Sequence, residues 1–293
     1  MNIKIVGNGA WGKAMFHVLQ KNNLNVNFIK RNEDIKDVDI VVLAVPTQAI
    51  KQVLSLITFS KKKICIVNTA KGIEQLSHRI PYQIIYEMFK NRVDYYTLIG
   101  PSFAEEVIND MPTLVNLGYA KESKDNERIK LLFQTNYFRI RLCKGVEALE
   151  LSSALKNVYA IGCGLAKSLG YKINTRVKLI VMAIEEMQIL FRNLHYHNDE
   201  RSVAGTIGDL VLTCNSMESR NFHFGTLLPN YRVEECLTMI NSTVEGFHTL
   251  SSISYLEQKS RAKLPLASFI NKVIRLNQPK LIDQEFRKFI MKV

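Results

Sequence analysis

Several things are scarce in this 293-residue chain. No apolar run approaches the ~18–20 residues that a bilayer-spanning helix needs, and candidates such as Ile40 to Val45 are strand-sized. The N-terminus, Met1-Asn2-Ile3-Lys4, soon meets three glycines and lacks the unbroken apolar stretch of a secretory signal. Cys65, Cys143, Cys163, Cys214 and Cys236 are scattered without a CxxC pair, and the six histidines fall into no metal or triad spacing. This pattern argues for reduced thiols in a cytoplasmic protein and against a zinc site or a disulfide frame. Long basic tracts are missing as well. The net charge is +12, from 39 Lys+Arg against 27 Asp+Glu, yet the local clusters are only Lys61-Lys62-Lys63 and Lys30-Arg31. With no aromatic-interleaved basic pattern, nucleic acid is excluded as the expected partner, and a phosphorylated small molecule in a basic cleft accounts better for the charge.

What is present divides into two halves. From Ile3 to Cys143, short β-type runs alternate with helical ones. The strand candidates are Ile3–Val6, Val26–Ile29, Asp39–Val45, Ile64–Thr69, Tyr95–Ile99, Thr113–Leu117 and Phe138–Leu142. Val41-Val42-Leu43-Ala44-Val45 is continuously apolar, as expected of a strand covered on both faces of a parallel sheet. Alternation of this kind predicts a doubly wound α/β sheet with right-handed crossovers. After about Gly145 the strand signal ends. Helical patterns follow over Val146–Leu169, Thr175–Asn193, Thr206–Thr213, Val233–Ile240, Val244–Gln258, Leu266–Leu276 and Ile282–Met291. The chain is thus expected to comprise a dinucleotide-binding domain over 1–145 and an all-α domain over 146–293, the latter serving substrate binding and catalysis.

Gly7-Asn8-Gly9-Ala10-Trp11-Gly12 is a GxGxxG turn between the first strand and the first helix, the fingerprint of a Rossmann domain. Gly7 permits the tight turn, Gly9 lets the backbone approach a pyrophosphate, and Gly12 allows close helix–strand packing. Ala10 and Trp11 open the helix whose free N–H groups would face the phosphates. At the end of the second strand, where an acidic residue would favour NAD, the chain reads Lys30-Arg31-Asn32. Arg31 is therefore the candidate reader of a 2′-phosphate, so NADP or NAD is expected with NADPH favoured.

Further motifs occur in order: Val45-Pro46, Lys71-Gly72-Ile73-Glu74, Gly100-Pro101-Ser102-Phe103-Ala104, Leu155-Lys156-Asn157-Val158, Asn174-Thr175-Arg176, Gly208-Asp209-Leu210, Ser219-Arg220-Asn221 and Val244-Glu245-Gly246. With Trp11 inside the glycine turn, this set resembles the bacterial NAD(P)-dependent glycerol-3-phosphate dehydrogenase family over nearly the whole chain. The resemblance implies interconversion of dihydroxyacetone phosphate and sn-glycerol 3-phosphate for phospholipid synthesis, in a homodimer. It implies that Lys156 is the catalytic lysine and Asp209 the active-site aspartate. It places Lys71 between cofactor and substrate, Gly100 and Ser102 on the substrate, Ala104 on the cofactor, and Arg220 and Glu245 beside the cofactor.

The residue chemistry agrees with these roles. Ketone reduction develops negative charge on oxygen, which a lysine ammonium can stabilise and protonate. Arg220 can hold phosphate oxygens bidentately, with Asn221 and the N–H groups of a helix capped by Ser219 assisting. One feature departs from the family: only Asn32 to Val38 separates the second strand from the third, where members usually carry a longer insertion. The adenine-ribose pocket is expected to differ accordingly. Two rival readings share parts of this pattern. One is a β-hydroxyacid dehydrogenase-type reductase acting on a carboxylate, opposed by the Ser219-Arg220-Asn221 and Gly100-Pro101-Ser102 motifs. The other is a nucleotide sensor that has lost the reaction, opposed by the intact Lys156 and Asp209.

Overall fold

The structure, a computed structural model, describes residues 1–29, 38–57 and 63–293. Seven strands form one sheet: β1 Asn2–Val6, β2 Asn25–Phe28, β3 Ile40–Leu43, β4 Ile64–Asn68, β5 Val93–Ile99, β6 Thr113–Tyr119 and β7 Phe138–Lys144, in the order β2-β1-β3-β4-β5-β6-β7. The helices between them are α1 Ala10–Lys21, α2 Ile50–Ser55, α3 Pro81–Phe89, α4 Ala104–Ile108 and α5 Asp125–Phe133. Side chains of β3 show why the run is apolar throughout. Ile40 and Val42 join the core under α1 and α5, whereas Val41 and Leu43 join the core under α2 and α3. Alternate residues point to opposite faces, and both faces are covered.

Every strand pair is parallel except β5·β6, which pairs antiparallel with Leu98 opposite Leu117. This one pair interrupts an otherwise parallel doubly wound sheet. Across 100–112 only the one-turn helix α4 intervenes, so the chain turns back beside β5 and resumes parallel pairing at β7, after α5.

The remainder is helical: α6 Val146–Ser168, α7 Ile173–Asn193, α8 Asp209–Asn215, α9 Arg220–Leu227, α10 Val233–Ile240, α11 Glu245–Thr249, α12 Ile253–Ser260, α13 Pro265–Leu276 and α14 Pro279–Lys292. α6 is buried nearly all round from Val146 to Ala166, the mark of a helix at the centre of a bundle. The single helix expected over Val244–Gln258 is instead α11, a 3-10 turn at Leu250–Ser252, and α12. The helix expected from Thr206 is preceded by a π turn, Ala204–Gly208. Two compact units result. One comprises Met1–Leu151 with His197–Asp209, and the other Ser152–Tyr196 with Leu210–Val293. Among the described residues, no helix is long and apolar enough to cross a membrane.

Candidate active site

In the first unit, the turn after β1 has the geometry that its glycines require. Gly7 adopts φ +104°, and a Cβ there would lie 2.4 Å from Ala44 O. A Cβ on Gly12 would lie 2.0 Å from Gly7 O, so α1 packs against the turn backbone only because Gly12 has no side chain. Gly9 faces open space. α1 starts at Ala10 without a side-chain cap or an acidic residue in its first turn, leaving its N–H groups and positive dipole end for an anion. Trp11 packs partly against the adjoining core, and its Nε1 is buried without a hydrogen-bond partner among the described residues. This cradle fits a dinucleotide pyrophosphate. Arg31, the proposed 2′-phosphate reader, lies outside the described residues.

At the carboxyl end of the sheet, Lys71 follows β4. Its Nζ donates to Asp209 Oδ2 at 2.8 Å and to Gly100 O at 3.2 Å. Asp209 is 1% exposed, so the pair is well shielded from solvent on the carboxylate side. Ser102 Oγ also donates to Gly100 O, at 3.0 Å. Gly100 lies against Val115, where a Cβ would sit 2.7 Å from Val115 Cα. Ala104 begins α4 and packs against the core beneath α1. Lys71, Gly100, Ser102 and Asp209 are thus brought together, although Lys71 and Asp209 stand 138 positions apart in sequence.

In the second unit, Lys156 lies on α6 and is only 5% exposed, and its Nζ donates to Thr213 Oγ1 at 2.8 Å. Burying an ammonium is costly unless an acceptor meets it. Thr213 was not among the expected site residues. It stands on α8 one turn after Asp209, and that i, i+4 spacing is the signal that could have found it. Asn157, the next residue on α6, accepts from Asn221 Nδ2 at 3.0 Å, and Asn221 Oδ1 accepts the Gly246 N–H at 2.8 Å. Ser219 caps α9 as expected, its Oγ accepting the Phe222 N–H at 3.2 Å. Glycines let these helices meet. A Cβ on Gly164 would lie 2.0 Å from Phe222 O, and one on Gly225 would lie 2.1 Å from Ile161 O. Close approach of α6 and α9 sets Asn221 beside Asn157.

Arg220 Nη1 donates to Ser242 Oγ at 2.6 Å. Glu245, at the start of α11, is pushed up to about 7 by burial, with the Arg220 charge opposing the shift. Its Oε2 is buried without a hydrogen-bond partner among the described residues. Such an acceptor can receive a ligand hydroxyl or amide.

Comparison with known proteins decides the family. The model described as "NAD-dependent glycerol-3-phosphate dehydrogenase N-terminus" matches residues 32–125, and the corresponding C-terminus model matches residues 145–281. A protein of Syntrophomonas wolfei named glycerol-3-phosphate dehydrogenase [NAD(P)+] is 32% identical over 94% of this chain and 91% of its own. The chain belongs to the NAD-dependent glycerol-3-phosphate dehydrogenase family. Its relatives include an equally named protein of Phytoplasma australiense, 33% identical over 91% of both chains. The crystal structure of the Coxiella burnetii glycerol-3-phosphate dehydrogenase has the same fold, with TM-score 0.86 and 22% identity over 99% of this chain and 98% of that one. The Saccharomyces cerevisiae enzyme follows at 0.83 and 18%, covering 99% of both chains.

Proposed function

We propose that this protein is an NAD(P)-dependent sn-glycerol-3-phosphate dehydrogenase, reducing dihydroxyacetone phosphate to sn-glycerol 3-phosphate. The observation that carries the reading is the buried Lys156 ammonium on α6, held by Thr213 in a chain of this family. Gly7, Gly9, Gly12 and the first turn of α1 would hold the dinucleotide diphosphate, with Trp11, Ala104 and Glu245 as further contacts. When bound, the dinucleotide supplies the hydride. Lys156 donates a proton to the substrate oxygen and stabilises the charge developing there. Asp209 orients cationic groups, as it holds Lys71 Nζ. Arg220 and Asn221, at the N-terminus of α9, grip the substrate phosphate with Ser219 and the helix N–H groups. Residues 1–145 thereby form most of the cofactor site and 146–293 supply Lys156, the phosphate grip and Glu245, in a cytoplasmic homodimer that supplies phospholipid synthesis. Arg31 remains the proposed reader of a 2′-phosphate, and NADPH the favoured cofactor.

The test is oxidation of NADH and NADPH, each with dihydroxyacetone phosphate, by the native enzyme and by Lys156→Met. Methionine keeps an unbranched stem of similar length but cannot donate a proton. Turnover is expected to fall by ~10²–10⁴-fold while fluorescence titration shows cofactor binding retained. A variant keeping more than about a tenth of the native rate overturns the role of Lys156. No oxidation of either cofactor by the native enzyme overturns the reaction itself.

A further inference from the structure

Asp209 is delivered by an unusual piece of chain. The strap His197–Asp209 belongs to the sheet-bearing unit, although both its neighbours in sequence are helices of the other. Three ties fasten it. Gly145, at φ +97°, leaves room for His197 O, which a Cβ there would approach to 2.0 Å. Asp199 Oδ2 accepts the Lys144 N–H at 2.9 Å, and Arg201 pairs with the same carboxylate.

The third tie is Asn116, fully buried in the middle of β6. Its Oδ1 accepts the Gly205 N–H at 2.7 Å, and its Nδ2 donates to Arg201 O at 2.8 Å and to Arg141 O at 3.1 Å. Both amide protons and the carbonyl oxygen are used, and two of the three bonds go to the strap. A hydrophobic residue is what a central strand ordinarily places at such a position. An amide buried there is costly unless it is fully satisfied, and here it is.

The bond to Gly205 lands inside the π turn Ala204–Gly208, whose final N–H, that of Asp209, reaches back to Ala204 O. Single π turns are wider than α turns, less stable on their own, and recur at functional sites. Gly205 lies so close to α6 and the sheet that a Cβ would be 2.4 Å from Leu149 Cδ1 on α6 and 2.9 Å from Ile99 O at the end of β5. Four residues later the strap ends at Asp209, whose Oδ2 receives Lys71 Nζ.

We propose that Asn116 is a positioning residue for catalysis: by clamping the π turn at Gly205 and Arg201, it sets where the Asp209 carboxylate meets Lys71. The proposal rests on the reading of Asp209 as an active-site residue. Without the clamp the turn relaxes towards ordinary helical spacing, which rotates Asp209 while leaving the glycine cradle between β1 and α1 untouched. The effect belongs in kcat rather than in cofactor binding, because a misplacement of about 1 Å can cost ~10²-fold in rate.

Asn116→Val, which keeps β-propensity and removes the amide, is expected to lower kcat at least about tenfold with KM for NADH changed less than about twofold. Asn22→Ala is the matched control. Asn22 also clamps backbone, through Nδ2 to Leu132 O and Gln134 O at 2.9 and 3.0 Å, but far along the chain from the strap. It is expected to lower the melting temperature without lowering kcat. Gly205→Ala attacks the clamp from the strap side, and the double variant Asn116→Val/Gly205→Ala is expected to lose no more kcat than the worse single one. Asp209→Asn separates the role of Asp209 from that of the clamp. Native kcat in Asp209→Asn overturns the reading of Asp209 itself. Low kcat in Asp209→Asn with native kcat in Asn116→Val overturns the clamp alone. Multiplying losses in the double variant, or an equal kcat loss in Asn22→Ala, also overturn it. If Asn116→Val fails to fold, Gly205→Ala carries the same test, and native kcat there overturns the clamp.

Discussion

Two places in the helical unit hold a carboxylate that burial has pushed up to about 7, and they differ in everything else. Glu186, on α7, is buried with both carboxyl oxygens engaged. It accepts Tyr159 OH at 3.1 Å, the Ala267 N–H at 3.2 Å and the Leu266 N–H, thereby capping the start of α13. The first N–H groups of a helix have no partner within it, so a carboxylate supplied from another helix both satisfies them and meets the positive dipole end. Glu245, at the start of α11, has the opposing charge of Arg220 and an Oε2 that nothing described meets. A shifted carboxylate therefore does not by itself mark a functional site. The filled one joins helices, while the open one can still receive a ligand.

The comparison breaks first at Glu186→Ala. That change leaves two backbone N–H groups and a tyrosine hydroxyl buried without an acceptor, and opens a cavity at the α7·α13 seam. Loss of one partner from such a network costs about 3–5 kcal/mol, equivalent to a melting temperature lower by roughly 10 °C. The turnover number of the folded enzyme at low temperature is expected to stay native. An unchanged melting temperature, measured by calorimetry or circular dichroism, removes the structural role.

Glu245→Ala is expected to do the reverse. Nothing in the fold loses a described hydrogen bond to its side chain, so the melting temperature holds or rises slightly. A hydrogen bond between the carboxylate and bound cofactor contributes ~1.5–3 kcal/mol, and KM for the dinucleotide should rise at least roughly tenfold. Titration of NADH and NADPH binding by fluorescence checks this directly. A fall in melting temperature as large as that of Glu186→Ala, with native cofactor affinity, turns Glu245 into a second structural carboxylate.

Sequence reading reached Glu245 and missed Glu186 for a physical reason. Glu245 sits in an ordered motif, whereas Glu186 follows Glu185 in a long helix, where a carboxylate reads as a solvated face. Its partners are supplied by α13, 80 positions later, and no local pattern announces that meeting. The sheet shows the same division. Apolar runs disclosed all seven strands, yet the antiparallel direction of β6 is set by the chain reversal across 100–112, which alternation does not encode. The cap at Ser219 and the helix Val233–Ile240 were legible because their signals are local. The 3-10 turn that breaks Val244–Gln258 was not, since the apolar spacing runs on through it. Lys71 and Asp209 were each named from motifs, but their ion pair became visible only in three dimensions.

The smallest expected effect sharpens the comparison by titration. Glu186 has its ordinary value of 4.5 raised to about 7, chiefly by burial, with Glu257 raising it further and the Leu266, Ala267 and Tyr159 donors opposing. Tyr159 is itself pushed well up by burial and by Glu186, so it stays a neutral donor across the range. A carboxyl group with a raised native value binds its proton more tightly in the fold than in the unfolded chain. Its contribution to stability is therefore complete below the ordinary value and is lost as pH rises through about 7. From about pH 6.5 to about pH 8 this group alone should remove about 1 kcal/mol from the native enzyme. Glu186→Gln cannot titrate, so its stability, whatever its starting level, should fall by that much less over the same interval. Urea denaturation of both proteins at the two pH values measures the difference. Glu245, pushed up to a similar value, contributes its own slope to both proteins and cancels in the subtraction. Parallel stability curves for native and Glu186→Gln proteins would mean that Glu186 is already ionised at the lower pH. Its three donors would then outweigh its burial, and the seam would be a conventional anionic helix cap.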